Sequence, residues 1–272
     1  MPVVARAQRS VDEALRAFVG EEEGRSVAVE SLRGTSVRAY ADPDVSRPGA
    51  SLLKLPLVAA VYDAARSRQV DLRQRVRRSE LPQTAYPTVV AVLESVHAFT
   101  LGELCGLCLA TSDNPIADYL IELIGMEAVN RAARRLGCAS TRMAVGFGDD
   151  YRDEAGYENA TTARDAVTMI RGIVEGYRDA SGALANNVRN FRIPLRLPDE
   201  TRVPHKTGSL PGVANDAGVI FGDRTDLAVA FLCDRQRDTA ATGLEIGDCV
   251  GRIRRAVGEA ALGPRRPPEI LP

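Results

Sequence analysis

Apolar and polar residues follow regular patterns near the start of the chain. Over residues 10–19 the apolar positions recur at helical spacing. Residues 26–31 and 36–41 alternate apolar with polar side chains and flank a turn at Gly34. Two alternating runs joined by a turn are typical of a β-hairpin. The chain is therefore expected to begin with a helix followed by a hairpin.

The middle of the chain has the pattern of packed helices. Residues 71–90 are polar and interrupted by proline, which predicts a loop with a short helix. Thr100 and Glu103 have the spacing of a capping box at the start of a helix. Helical periodicity predicts helices over residues 51–68, 99–109, 116–124, 127–136, 161–175 and 181–191.

The last third of the chain returns to the pattern of strands. Three antiparallel strands and a closing helix are predicted over residues 202–210, 214–221, 227–233 and 239–261. Strands at both ends with helices between them predict an α/β fold of the α+β kind. We expect a composite sheet domain of residues 1–50 and 195–272, an inserted all-α domain of residues 51–194, and an active site at their seam.

Composition excludes several classes of partner. The formal net charge of the 272-residue chain is −1, so neither nucleic acid nor an anionic membrane surface is an expected partner. The first 19 residues lack the apolar core of a secretory signal, and no stretch is long and apolar enough for a transmembrane helix. The sequence as written predicts a cytoplasmic protein, or a periplasmic or secreted one if a leader has been removed. Its pattern predicts no oligomeric state.

The chain has five cysteines in apolar surroundings, an odd number that favours reduced, buried thiols. Cys105 and Cys108 have the spacing of a redox or zinc pair, but no second pair of ligands accompanies them. No metal or cofactor is expected.

Ser51 and Lys54 stand at the start of a predicted helix, three residues apart. This spacing places their Cβ atoms about 5–6 Å apart on one face, so the amine can reach the hydroxyl. A serine hydroxyl attacks a carbonyl only if a neighbour accepts its proton. A lysine accepts a proton only when its amine is neutral, which requires burial or a second nearby cation.

The chain contains only two lysines, Lys54 and Lys206, among 35 basic residues. Arginine cannot be deprotonated in a protein and cannot accept a proton. The two positions that kept lysine are therefore candidates for proton transfer.

Two further motifs accompany this pair. Ser112, Asp113 and Asn114 precede Pro115, where Asp113 or Asn114 is expected to cap a helix. In the first C-terminal strand, Lys206 is followed by Thr207 and Gly208.

Together with the Ser51 motif, these elements stand in the order S-x-x-K, S-D-N and K-T-G. The sequence resembles the class A β-lactamases and penicillin-binding proteins, which carry this trio, over almost its full length. The resemblance implies an antiparallel five-stranded sheet flanked by the terminal helices, with a helical domain inserted.

The resemblance also implies catalytic roles. Ser51 would attack a β-lactam, amide or ester carbonyl and become acylated, with Lys54 as its base or proton relay. Ser112 would pass a proton to the leaving nitrogen. Lys206 would supply a positive field for Ser112, Lys54 and a substrate carboxylate.

Substrate contacts follow from the same resemblance. Asn114 would bind a substrate amide and Thr207 a substrate carboxylate, while Gly208 would let the substrate lie close to the strand. The backbone N–H groups of Ser51 and Ser209 would form the oxyanion hole.

One part of the family pattern is missing. Class A β-lactamases carry a glutamate in a Glu-x-x-Leu-Asn run that activates the deacylating water, and the loop after residue 144 lacks this run. Asp149, Asp150, Glu154 or Glu158 could replace it, or no residue does. Acylation is therefore better supported by the sequence than rapid turnover.

Three functions remain open: a β-lactamase, an amidase, esterase or D-peptidase acting on an intracellular substrate, and a sensor that is acylated without turnover. Each would take a small molecule as substrate. His97 and His205 are expected to be structural, since His205 neighbours Lys206 on a strand and so points to the opposite face.

Overall fold

The computed structural model describes residues 2–20, 22–83, 88–148 and 158–261. The helices within these ranges are α1 (Pro2–Val19), α2 (Lys54–Arg66), α3 (Val89–Val92), α4 (Leu101–Ala110), α5 (Asn114–Ile124), α6 (Met126–Arg135), α7 (Ala163–Gly176), α8 (Arg178–Ala185) and α9 (Thr239–Ala256). The strands are β1 (Arg25–Arg33), β2 (Arg38–Ala41), β3 (Arg47–Pro48), β4 (Arg75–Arg77), β5 (Ala98–Thr100), β6 (Ala160–Thr161), β7 (His205–Leu210), β8 (Val213–Ile220) and β9 (Asp226–Cys233). Short 3-10 helices cover Ala50–Leu53, Arg78–Glu80 and Ile193–Arg196.

The central feature is a five-stranded antiparallel sheet in the order β2-β1-β9-β8-β7. Because side chains alternate along a strand, Val27 and Val29 face a core formed with α1 and α9, whereas Ala28 faces the core formed by the other helices. Both faces are thus covered, and every residue of β8 and β9 is buried. The strand β7 lies at one edge, next to the 3-10 helix Ala50–Leu53.

The predicted fold class is confirmed by this sheet and by its helical layers. The Thr100 hydroxyl accepts a hydrogen bond from the Glu103 N–H, and the Glu103 carboxylate accepts one from the Thr100 N–H, as the capping box predicts. The division into residues 1–50 with 195–272 and residues 51–194 stays a prediction. No helix in the described part of the chain is both long and apolar enough to cross a membrane.

Several predicted boundaries were wrong. Helix α1 begins at Pro2 rather than at residue 10, because residues 3–6 are exposed and lie outside the buried face that starts at Ala7. Helix α8 ends at Ala185, not at residue 191, since the chain beyond it leaves the helix to hydrogen-bond with β7 and β8. Helix α9 ends at Ala256. The predicted loop over residues 71–90 contains β4, which pairs with β5.

Candidate active site

Ser51 lies in the 3-10 helix that leads into α2. A 3-10 helix has three residues per turn, so Lys54 lies on the same side as Ser51. Ala50, immediately before the serine, has a φ of +45°. A left-handed backbone at a residue with a Cβ costs on the order of 1 kcal/mol or more, and it persists only where the surrounding structure imposes it.

Lys54 is completely buried, and its amine is held by the S-D-N segment. The Lys54 Nζ donates to Asn114 Oδ1 at 2.6 Å, to the Ser112 carbonyl oxygen at 2.7 Å and to Ser112 Oγ at 3.4 Å. The ring of Phe147 covers the amine, with its centroid 4.5 Å away. Burial lowers the pKa of Lys54 to about 8.

Lys206, on β7, is also completely buried. Its Nζ donates to Ser112 Oγ at 2.9 Å and to the Thr207 carbonyl oxygen at 2.8 Å. Burial lowers the pKa of Lys206 well below its usual value, and the charge of Lys54 lowers it further. The two amines therefore meet at one hydroxyl, that of Ser112.

Ser112 takes a left-handed conformation with a φ of +65°. The next residue, Asp113, caps α5 by accepting from the Ile116 N–H at 3.2 Å. The Asp113 carboxylate also accepts from the Val89 N–H at 2.9 Å. Because Asp113 caps the helix, Asn114 is the first helical residue. The side-chain oxygen of Asn114 is therefore free of the capping role and accepts from Lys54.

Strand β7 passes very close to the turn that carries Ser51. A Cβ atom at Gly208 would lie 3.1 Å from both the Ala50 Cβ and the Gly49 carbonyl oxygen, and 3.3 Å from the Ser51 nitrogen. These distances are tighter than ordinary van der Waals contact, so glycine permits the approach. The Ser51 N–H is thereby set beside the strand that carries Ser209.

The expected hydrogen bond between the Ser51 hydroxyl and the Lys54 amine is replaced by other hydrogen bonds in the structure. Among the described residues, the hydrogen bonds of both amines go to other groups, and none joins either amine to the Ser51 hydroxyl. The Lys54 amine donates instead to the Asn114 side-chain oxygen at 2.6 Å and to the Ser112 carbonyl oxygen at 2.7 Å. The spacing of Ser51 and Lys54 in the sequence predicted that they share one face, but it did not predict these hydrogen-bond acceptors.

Arg192 is a residue of this region that the sequence did not indicate. Its guanidinium is buried and donates to the Gly208 carbonyl oxygen at 2.9 Å and to Ser209 Oγ at 2.7 Å. Burial lowers the pKa of Arg192, whereas the charge of Asp216 raises it. With 33 arginines in the chain, no sequence signal marks this one.

Asn159 joins the two ends of the loop whose sequence lacks the Glu-x-x-Leu-Asn run. Its Oδ1 accepts from the N–H groups of Ala144 and Val145 at 2.7 and 3.1 Å, and its Nδ2 donates to the Val145 carbonyl oxygen at 3.0 Å. Among the proposed bases, Glu158 is exposed. The others lie outside the described residues: Asp149, Asp150 and Glu154.

The remaining candidates have other surroundings. His205 is buried against Asp216 and Asn190, whereas Lys206 reaches Ser112 from the opposite face of β7. His97 is exposed. The five cysteines are free and buried. Within residues 2–20, 22–83, 88–148 and 158–261, no group of three or more His, Cys, Asp or Glu side chains could hold a metal ion.

Comparison with known proteins places these features in a family. The family model described as "Beta-lactamase enzyme family" matches residues 10–259. A β-lactamase of Streptomyces fradiae is 30% identical over 226 residues, covering 78% of this chain and 74% of that protein.

Solved structures agree. A β-lactamase from Sphaerobacter thermophilus superposes with a TM-score of 0.80 and 26% identity, covering 92% of this chain and 97% of the other. PBP-A superposes with a TM-score of 0.76 and 20% identity, covering 90% of this chain and 95% of the other, which shows the shared fold. The chain therefore belongs to the β-lactamase enzyme family and is a hydrolase of the β-lactamase type.

Proposed function

We propose that the protein opens a β-lactam, or a related cyclic amide, through an acyl-enzyme formed on Ser51, and then hydrolyses it. The observation that carries the proposal is the meeting of two buried amines at Ser112 Oγ, 2.9 Å from Lys206 and 3.4 Å from Lys54. Such an arrangement moves protons between a base and a leaving group. Strand β7, which carries Lys206, passes close to the Ser51 N–H at Gly208, where a carbonyl oxygen would be bound.

The proposed acylation proceeds in three proton transfers. The Ser51 oxygen bonds to the carbonyl carbon while its proton passes to the neutral amine of Lys54. The carbon–nitrogen bond then breaks, and the leaving nitrogen takes the proton of Ser112, which one of the two amines replaces. The N–H groups of Ser51 and Ser209 stabilise the developing oxyanion; losing one such donor costs about 10²–10³ in rate.

Substrate binding is proposed on the same strand. Lys206 and Thr207 would attract a substrate carboxylate, and Asn114 would bind an amide of the substrate. Asn114 already accepts a hydrogen bond from Lys54, so its Nδ2 is the group left to donate.

A second candidate is an acyl-enzyme that persists. Phe147, not a carboxylate, lies over the Lys54 amine, and none of the hydrogen bonds that Lys54 makes within the described residues goes to an acid. A mutant of PBP-A has been solved as an acyl-enzyme complex with penicillin G. These observations favour acylation that is faster than deacylation.

An intact-mass time course with penicillin G tests the proposal. Wild-type protein should gain the mass of one penicillin, Ser51→Ala should gain nothing, and Ser67→Ala, at the far end of α2, should behave as wild type. An adduct that disappears while chromogenic cephalosporin is consumed indicates a β-lactamase, and one that persists indicates the second candidate. No adduct, with turnover of esters or D-amino-acid amides, would refute the β-lactam proposal in favour of an amidase or esterase.

A further inference from the structure

Residues 187–193, here called the 187–193 segment, connect α8 to the 3-10 helix Ile193–Arg196 and run beside β7 and β8. The segment is attached at both ends. Near its start, Asn187 Nδ2 donates to the His205 carbonyl oxygen at 2.9 Å, and at its end the Ile193 N–H donates to Asp216 Oδ2 at 3.1 Å. Between these points Arg192 reaches β7.

The ring of His205 joins the segment to the sheet. The side chain is 1% exposed. Its Nδ1 lies 2.9 Å from Asp216 Oδ1 on β8, and its Nε2 lies 3.0 Å from Asn190 Oδ1 in the segment. Asn190 and Ile193, which flank Arg192 in the chain, are therefore both fixed through the pair of His205 and Asp216.

Arg192 depends on these attachments for its position. Its hydrogen bonds go to the carbonyl oxygens of Gly208 and Asn215 and to Ser209 Oγ, and its Nε is buried without a hydrogen-bond partner. These three hydrogen bonds tie the guanidinium to β7 and β8. The attachments of the backbone on either side of Arg192 fix where its side chain starts and so which groups it reaches.

Gly208 and Ser209 lie on the edge strand of the sheet, which pairs with β8 on one side only. In an inner strand, a second neighbouring strand would restrain the other side of the backbone. In β7, the hydrogen bonds from Arg192 to Gly208 and Ser209 supply a restraint of this kind. They act on the two residues that would carry the substrate approach and the second oxyanion donor.

We propose that His205 is a positioning residue: through Asp216 and Asn190 it holds the 187–193 segment so that Arg192 keeps Gly208 and Ser209 in register with Ser51. The inference rests on the proposed function for its catalytic consequence. Its structural consequence, the position of Gly208 and Ser209, can be measured independently.

Asn190→Ala is the sharper test, because His205→Ala would leave the buried Asp216 short of a partner and could prevent folding. We expect Asn190→Ala to lower the acylation rate constant about 10-fold, since misplacing catalytic groups by a fraction of an ångström is enough. The KM for penicillin G should change less than 2-fold. Asn186→Ala, an exposed amide that bonds only within α8, is the matched control and should act as wild type.

Equal acylation rate constants for Asn190→Ala and Asn186→Ala would overturn the proposal.

Backbone NMR distinguishes this inference from the proposed function. The N–H signals of Gly208 and Ser209 should shift in Asn190→Ala and stay in place in Asn186→Ala, whether or not the protein reacts with penicillin. If wild-type protein is never acylated, the proposed function fails while this readout still decides the inference. Signals that do not move in Asn190→Ala would refute it.

Discussion

Acylation should depend steeply on pH because it requires the neutral amine of Lys54. Its pKa is lowered from 10.5 to about 8, and burial is the largest cause. At pH 7 this shift raises the neutral fraction from roughly 0.03% to roughly 10%, about 300-fold. Since the amine is more often neutral at higher pH, the acylation rate should rise with pH and level off above pH 8.

The assay is the second-order rate constant for labelling by a fluorescent penicillin between pH 6 and 9.5. From the same pKa, the neutral fraction grows from roughly 1% to roughly 97%, so the rate should rise by about two orders of magnitude. Asn186→Ala should give the same profile. A rate that is constant or falls between pH 6 and 8 would refute the role of Lys54 as proton acceptor.

Phe147→Ala tests the physical cause of this lowered pKa. The ring has two opposing effects on Lys54: it excludes water, which favours the neutral amine, and its face attracts the charged one by about 2 kcal/mol in a desolvated site. Burial of Lys54 as a whole lowers its pKa to about 8, which corresponds to about 3 kcal/mol, and we expect the ring's share in excluding water to outweigh its attraction. Removing the ring should raise the pKa, move the midpoint of the profile upward and slow acylation at pH 7.

The matched control is Phe221→Ala, because the ring of Phe221 also lies under a cation, that of Arg202 at 5.0 Å, at the far end of β8. It should leave the midpoint unchanged. A midpoint that moves downward in Phe147→Ala would mean that the cation–π attraction dominates.

Three other predictions concern the same region. Gly208→Ala should slow acylation at least about 10-fold without unfolding the protein, because the added Cβ meets Ser51 N at 3.3 Å; labelling rates and thermal melts check this. Asn159→Ala should lower the free energy of unfolding by about 2–3 kcal/mol in urea titrations, since two backbone N–H groups lose their acceptor. Lys54 binds fewer protons in the folded than in the unfolded state between pH 8 and 10.5, so the free energy of unfolding of wild type minus that of Lys54→Met should rise with pH across that window, by up to about 3 kcal/mol.

Local patterns predicted the parts of the fold that short-range chemistry determines. The capping box of Thr100 and Glu103 and the cap before Pro115 depend on neighbours within four residues, and both form. The rarity of lysine marked Lys54 and Lys206, whose amines lie near one hydroxyl. These signals are visible in the sequence because a helix cap, or a group that must lose its proton, can be built from only a few residue types.

The rest depends on contacts between distant parts of the chain. Arg192 is one arginine among 33, and only the tertiary structure places it under Gly208. The end of α8 was missed because Asn187 and Ile193 bond to strands far along the chain, which outweighs helical periodicity. Phe147 belongs to no motif, yet its ring lies over the amine of Lys54.

The conformation of the candidate site lowers the free energy of unfolding of the protein. Ala50 and Ser112 both have a positive φ, and such residues cost of order 1–3 kcal/mol each. The buried Lys54 adds about 3 kcal/mol at neutral pH. Fully buried leucines on either side of it, Leu53 and Leu55, tie this turn to the core and offset the cost. Because an unfavourable backbone and a desolvated amine both meet at Ser112, structural stability alone does not account for them, whereas the proposed proton relay would.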